Sequence, residues 1–407
     1  MEYGRSRCFG WALTCLVLGA WAMPVSAQNM PGVTTTEIKL GQTMPYTGPV
    51  TGFSTLGKGE VAYIKMINDQ GGINGRKINL ISLDDGYVPP RTVEQTRRLV
   101  EQEQVAAIFG SLGTAPQTAV VKYLNERKVP QLFLGSGAYK WGNYKETPWT
   151  MGGVQATFRA EARIYASYAL EKQANAKICI LYQNDDFGRD YRNGVMDVLG
   201  DKYKATVTEA TYEFTDATVD SQIISLQGAG CNVLIVAASP KFAAQAIRKV
   251  YDIGWKPMFF MTNIAIWVGS VMEPAGFEKG VGLLSSAYIK DPTDSSWDGD
   301  PAMVKWKAWA AKYMPDADTR DSNYVNGYNY AAAMVQVLRQ AGNDLSRANI
   351  MKQATNLKDF EIDMLLPGIK VNTSPTNYYP VQQMQLMRWT GKQWERFGDL
   401  MQAPPEK

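Results

Sequence analysis

From Glu37 onward the chain alternates strand-like and helix-like segments, and past residue 150 the same rhythm starts again. No other feature narrows the fold as much, because neighbouring parallel strands need a long crossover and a helix is its usual form. In the first round, residues 38–43 read as a strand. Residues 52–68 read as a helix with Val61, Ile64 and Ile67 on its apolar face, stopped by Gly71-Gly72. Residues 77–83 are a second strand ending on Asp84-Asp85, and Pro90 opens the next helix. Residues 105–109 are a third strand, after which Thr114 and Gln117 have the spacing of a capping box. Residues 131–134 are a fourth.

The second round predicts a helix over 157–172 and strands over 177–182, 206–214, 232–237 and 258–261. The last third reads differently: helices over 302–313, 324–341 and 346–355, then a hairpin over 381–396 turning at Thr390-Gly391. Two similar rounds predict an α/β fold of two lobes with the same architecture, each built on a parallel sheet, rather than one long sheet.

Arg5 and Arg7 precede an apolar run over residues 9–22, and Val25-Ser26-Ala27 supplies small residues for a cleavage site. This is the three-part pattern of a secretory signal peptide. The run is shorter than the roughly 20 residues of a membrane span, and Cys15 lacks a lipoprotein context. The expected mature chain starts near Gln28. Residues 1–27 hold two Arg and one Glu of the chain's 42 basic and 39 acidic residues, leaving 40 and 38. So even a balance gives no footprint for nucleic acid.

The sequence contains no histidine. That removes Ser-His-Asp and Cys-His catalysis and every His-ligated metal site. No metal or cofactor is expected. Catalysis by carboxylates survives this filter, but Asp84-Asp85 and Asp185-Asp186 read as strand ends and helix caps rather than a catalytic pair. Cys179 and Cys231 lie in or beside strands of the second round. They are read as two buried thiols packed as small hydrophobes, with a disulfide the alternative that an oxidising compartment permits.

In an open α/β sheet, ligands bind beyond the carboxyl ends of the strands. Two such ends here carry loops of small residues: 110–114, with Leu112, Gly113 and Thr114, and 135–138, with Ser136, Gly137 and Ala138. Small residues let backbone N–H groups approach a ligand, and a helix starting there adds its positive end. Gly113, Thr114, Ser136 and Gly137 are therefore the leading candidates to hold an anionic group.

The strand Glu37–Tyr46 leads into Thr47-Gly48-Pro49. It is followed by Gly71-Gly72-Ile73-Asn74-Gly75-Arg76, Asp84-Asp85, Asp186-Phe187-Gly188, and Gly342 after an alanine-rich helix. This series resembles the Leu/Ile/Val-binding family of periplasmic solute receptors of ABC transporters. The resemblance implies two Rossmann-like lobes joined by a three-crossing hinge: residues 28–152 with 287–378, and 153–286 with 379–407. It also implies a monomer that traps a small molecule by closing and presents it to an ABC permease in the inner membrane. Phe53 and Phe187 correspond to aromatic walls of the ligand site in that family, and Ser239 to a ligand-touching tyrosine. Tyr46, Trp141, Trp267 and Tyr324 are further aromatic candidates. The segment 261–264 corresponds to the place where amino-acid receptors carry a Glu against the ligand's ammonium. Here it holds no acid, and Asn263 is the nearest polar residue. The expected ligand is therefore a carboxylate without an amine, with an aromatic body. An amino-acid receptor of the same fold, a secreted carboxylate-dependent hydrolase and a sensory subunit remain as alternatives.

Overall fold

The structure, a computed structural model, describes residues 1–4 and 30–404. The expected signal segment and its expected cleavage point lie almost wholly outside the described residues. Among those described, no helix is long and apolar enough to cross a membrane.

Among the described residues, twelve strands form two sheets. The first contains β1 (Glu37–Met44), β2 (Lys77–Asp84), β3 (Ala107–Phe109), β4 (Gln131–Leu134) and β5 (Thr150–Gly152), in the order β2-β1-β3-β4-β5 with every pair parallel. The second contains β6 (Ile178–Gln183), β7 (Val207–Tyr212), β8 (Val233–Ala237), β9 (Met258–Met261) and β10 (Leu284–Ala287), again parallel. An antiparallel hairpin of β11 (Gln383–Trp389) and β12 (Trp394–Gln402) extends it along β10. The order is β12-β11-β10-β9-β8-β6-β7. Central strands such as β6 and β8 are buried at every position, as parallel strands covered on both faces must be. β5 and β10 escape the sequence reading because both are short and carry polar or small residues rather than an apolar run.

The crossover helices of the first round are α1 (Thr55–Asp69), α2 (Pro89–Arg97) and α3 (Thr114–Glu126). Those of the second are α4 (Phe158–Lys172), α5 (Asp186–Leu199), the short α6 (Tyr203–Thr206), α7 (Asp220–Gly228), α8 (Pro240–Asp252) and the short α9 (Glu273–Ala275). Helices α10 (Pro301–Tyr313), α11 (Asn323–Ala341) and α12 (Arg347–Ala354) return to the first lobe, where α11 lies along α1. The chain thus passes between the lobes after β5, after β10 and again before β11.

The α1–α11 contact requires glycine on both sides. A Cβ on Gly327 would sit 2.3 Å from the Leu56 carbonyl, and one on Gly59 would sit 2.9 Å from the Tyr324 carbonyl. This contact also corrects the face assigned to α1. Ile64 and Ile67 are buried, but Val61 is 43% exposed, because the helix is turned to bury Leu56, Glu60 and Tyr63 toward α11 and the sheet. The capping box at α3 is a second correction. The Gln117 side chain bonds instead to Thr43 Oγ1 at 3.0 Å, the Leu112 carbonyl at 3.2 Å and Gln131 at 3.1 Å. It is fully buried, and the core of the lobe supplies its partners.

The two cysteines are not free thiols. Cys179 in β6 and Cys231 at the entrance to the neighbouring β8 form a disulfide with Cα atoms 5.7 Å apart. Strand adjacency, which spacing does not reveal, brings them within bonding range. The bond closes a loop of 52 residues, so replacing both cysteines by serine is expected to cost about 2–5 kcal/mol of unfolding free energy. Urea unfolding of the two forms measures this. A reductant should lower the melting temperature of the wild type and leave the double variant unchanged.

Candidate ligand-binding cavity

A tight cavity lies between the lobes, with about 40 Å³ open to the centres of water-sized molecules. Its walls come from the carboxyl ends of strands in both sheets. Leu112, Gly113 and Thr114 follow β3, and Gly135 and Ser136 follow β4. Gln183 closes β6, Phe187 opens α5, Ser239 follows β8, and Ile264 and Trp267 follow β9. Phe53, in the short turn before α1, and Asn323, Asn326 and Tyr330 on one face of α11 complete the first-lobe wall.

The structure brings most of the sequence candidates to this one space: Phe53, Leu112, Gly113, Thr114 and Ser136 from the first lobe, and Phe187 and Ser239 from the second. Three others are not at its wall. Gly137 packs against Gln155 and Ala156, and Ala138 donates its N–H to Ser136 Oγ at 3.3 Å from behind the loop. Asn263 lines a separate small space on the hinge side of Trp267. Of the other aromatic candidates, Trp267 faces the cavity, Trp141 supports Ser136 from behind, and Tyr46 and Tyr324 line a groove elsewhere on the first lobe.

The first-lobe wall is a cluster of donors. Ser136 Oγ accepts from Trp141 Nε1 at 2.9 Å and from the Ala138 N–H, and lies 2.8 Å from Thr114 Oγ1. With both acceptor positions of Ser136 in use, its proton goes to Thr114, which leaves the Thr114 proton for an occupant of the cavity. The Thr114 and Ala115 N–H groups sit in the first turn of α3 and have no intrahelical acceptor. Gly113 makes the turn possible: its φ is +104°, and a Cβ there would lie 2.5 Å from the Tyr87 ring. Tyr87 itself has a φ of 64°, unusual for a bulky residue. Its turn is held by Asp84, which accepts from Thr47 and Gly86, and by Asp85, which accepts from the Tyr87 N–H at 2.9 Å and Thr92 Oγ1 at 2.8 Å.

No Asp, Glu, Lys or Arg lines the cavity, and six of its wall residues are aromatic. The nearest acid to segment 261–264 comes from elsewhere in the chain. Glu161 on α4 is buried beneath it, accepting from the Asn263 N–H at 3.0 Å, Ser286 Oγ at 2.6 Å and the hydroxyls of Tyr165 and Tyr191. Burial raises its pKa. These four donors commit the carboxylate to the second-lobe core. Asp185 is likewise committed, capping α5 through the Gly188 N–H at 3.2 Å and accepting from Gln183 Nε2 at 2.7 Å.

Residues 37–393 match the family described as periplasmic binding protein. The chain belongs to this family. Its members are solute-binding receptors. Leu/Ile/Val-binding protein homolog 7 of Brucella abortus (strain 2308) is 23% identical over 391 residues, covering 93% of each chain. A branched chain amino acid ABC transporter from Thermus thermophilus, solved with bound valine, superposes with a TM-score of 0.80 at 14% identity, covering 91% of this chain and 98% of that one. A fatty acid ABC transporter substrate-binding protein from Thermomonospora curvata gives 0.72 at 19% identity, covering 92% and 94%. These structures share the two-lobed type I fold with this periplasmic binding protein.

Sequence reading missed Tyr87, Gln155, Phe158, Gln183, Ile264, Asn323, Asn326 and Tyr330 at the wall. One signal for the α11 group was present: Asn323, Asn326 and Tyr330 share one face of an otherwise alanine-rich helix.

The lobes touch around the cavity. Phe53 meets Trp267 edge-on with ring centres 5.6 Å apart, and Tyr87 meets Phe214 at 5.7 Å. Lys140 pairs with Asp186 at 2.9 Å, and Arg320 with Glu273 at 2.8 Å. Ser270 of the second lobe donates to Asp321 of the first at 3.2 Å. Burial pushes the Asp321 carboxyl up to about 7, with Asp291 and Asp318 adding to the effect. The folded protein therefore holds this proton more tightly than the unfolded chain, whose Asp titrates near about 3.9. Stability from this group is complete below that value and is lost as pH rises toward about 7. Asp321→Asn imitates the protonated form. Its stability advantage over the wild type is expected to widen from about pH 4 to about pH 7 and then stay constant, as measured by thermal unfolding across that range. A gap independent of pH would contradict the assignment.

Proposed function

We propose that this protein is the solute receptor of an ABC importer and captures a small, amine-free organic carboxylate with an aromatic body. The carrying observation is a cavity without any charged side chain, walled by aromatic rings and furnished with donors at the start of α3. The carboxylate seat is Thr114 and the adjoining N–H groups, with Ser136 holding the Thr114 hydroxyl in place. A helix N-terminus with free donors suits an anion without a cationic side chain. Phe53 and Trp267, from opposite lobes, together with Phe187, grip a flat body. A buried ammonium would meet no counter-charge here and would cost several kcal/mol.

The mechanism is reversible capture. The lobes close about the three crossings, water leaves the cavity, and the closed form is what a permease in the inner membrane recognises. The receptor acts as a periplasmic monomer, and no chemical step is assigned to it. A second reading, an amino-acid receptor, is favoured by the Brucella relative's name and by the valine in the Thermus thermophilus structure. On that reading the cavity's amides and hydroxyls solvate the ammonium.

Calorimetric titration of ligand-free protein with benzoate, 4-hydroxybenzoate, phenylalanine and leucine separates the two. The first reading expects the aromatic acids to bind and leucine to give no heat. Tight leucine binding with no response to the aromatic acids would replace it by the second. Thr114→Val keeps the shape of the seat and removes its hydroxyl. It is expected to weaken the bound acid roughly ten- to hundredfold.

A further inference from the structure

Two chain segments next to the Phe53–Trp267 contact touch each other across the lobes. They are residues 268–273, which follow Trp267, and residues 318–323, which lead into α11. Gly269 makes room for Asp318, since a Cβ there would lie 2.9 Å from the Asp318 carboxylate. Arg320 pairs with Asp318 at 2.7 Å and with Glu273 at 2.8 Å, but these groups are half exposed and hold weakly.

Asp321 differs from them. It is buried, and its two oxygens divide between the lobes. One accepts from the Asn323 N–H at 3.0 Å in its own lobe, and the other from Ser270 Oγ at 3.2 Å in the second. Asn323 in turn donates to the Phe53 carbonyl at 3.3 Å. The Trp267 carbonyl accepts from the Val271 and Met272 N–H groups, in the turn that carries Ser270. The Asp321 carboxyl therefore joins the two backbone segments that hold the facing rings.

The groups around it are mostly acidic. Asp318 belongs to the same loop, and Asp291 approaches from the segment after β10. Arg320 is engaged by Asp318 and Glu273. Tyr324, at the start of α11, is a neutral phenol whose pKa burial raises further. An ionised Asp321 has no cation of its own here, whereas a protonated one can reverse the bond and donate to Ser270. Opening the cleft withdraws Ser270 with its turn and returns the carboxyl to water.

We propose that Asp321 is a positioning residue that fastens the closed lobes in its protonated form, so that solute capture takes up a proton at this carboxyl. The proposal rests on the reading of this protein as a receptor that closes about its solute, but not on which solute it takes. Closed, the carboxyl keeps its proton up to about pH 7. Open, it titrates near about 3.9 like any exposed Asp. The affinity this group adds is complete below that lower value and falls by up to about tenfold per pH unit until about pH 7. A solute carboxylate is already ionised above about pH 5 and adds nothing to the trend. A second interlobe carboxyl, Asp190, accepts from the Tyr139 N–H at 2.7 Å, among Asp186, Arg159 and Lys140, and burial pushes it up to about 7 as well. Comparison with Asp321→Asn cancels its contribution.

The test titrates wild type and Asp321→Asn by calorimetry with benzoate, 4-hydroxybenzoate, phenylalanine and leucine, and follows whichever of the four binds. At about pH 6 the wild type is expected to take up protons on binding, read as the difference in heat between phosphate and bis-Tris buffers. Its affinity relative to Asp321→Asn should fall at least about tenfold from about pH 5 to about pH 8. Asp321→Asn should bind and lose that part of the uptake. An affinity ratio that does not change with pH would overturn the proposal, because a merely structural residue shifts affinity alike at every pH. So would a wild type that takes up no proton. A wild type that binds none of the four solutes refutes the ligand classes named above, and closure is then read by X-ray scattering of the unliganded protein. A smaller radius of gyration at about pH 5 than at about pH 8, in the wild type alone, is expected there. Identical profiles at the two pH values would overturn the latch.

Discussion

A parallel sheet obliges every strand to hand its chain to a crossover at the same edge, so all carboxyl ends gather on one side. Everything that gives this protein a site depends on that constraint. Each sheet's carboxyl edge collects loops and helix N-termini, which are the backbone groups that helices cannot satisfy internally. Setting two such edges face to face encloses those groups between the lobes. The starts of α3 and α8 then meet at one cavity although more than a hundred residues separate them.

The second organising fact is how the molecule distributes its buried acids. Glu161 is surrounded by four donors in the second-lobe core, Asp185 caps α5, and Asp84 with Asp85 hold the turn that presents Tyr87. Each carboxylate maintains the scaffold next to the cavity, and none reaches its wall. The wall is left to aromatic rings and neutral hydrogen-bonding groups, where a single charge on a ligand is met by helix ends rather than by an ion pair. The Glu161 carboxylate lies directly behind the segment where the family resemblance places an acidic ligand contact, yet it binds the Asn263 N–H and not the cavity.

The α/β class and most element boundaries were legible because apolar periodicity and Gly/Pro punctuation are local. So was the placing of residues 112–114 and 135–136 at strand ends, which the fold sets at the cavity wall, since small residues at strand ends have a physical reason to be there. The aromatic positions Phe53 and Phe187 reached the site through family resemblance rather than through any pattern of their own. Gly137 and Ala138 were grouped with Ser136 by adjacency, but a chain turning away from the cavity carries the next two residues out of it.

What needed the tertiary structure was whatever depends on two distant segments meeting. Cys179 and Cys231 bond because β6 and β8 are neighbours, an order that spacing along the chain does not encode. Gln117 leaves its helix unstapled because β1 and β4 offer it partners. The α11 residues reach the cavity only because Gly59 and Gly327 let two helices touch. Sequence alone determined that the chain would form two α/β lobes with small-residue loops at strand ends, because periodicity, breakers and helix starts act within a few residues. The cavity's neutrality was decided by the fold, since which side chains reach a wall is a property of neighbours in space.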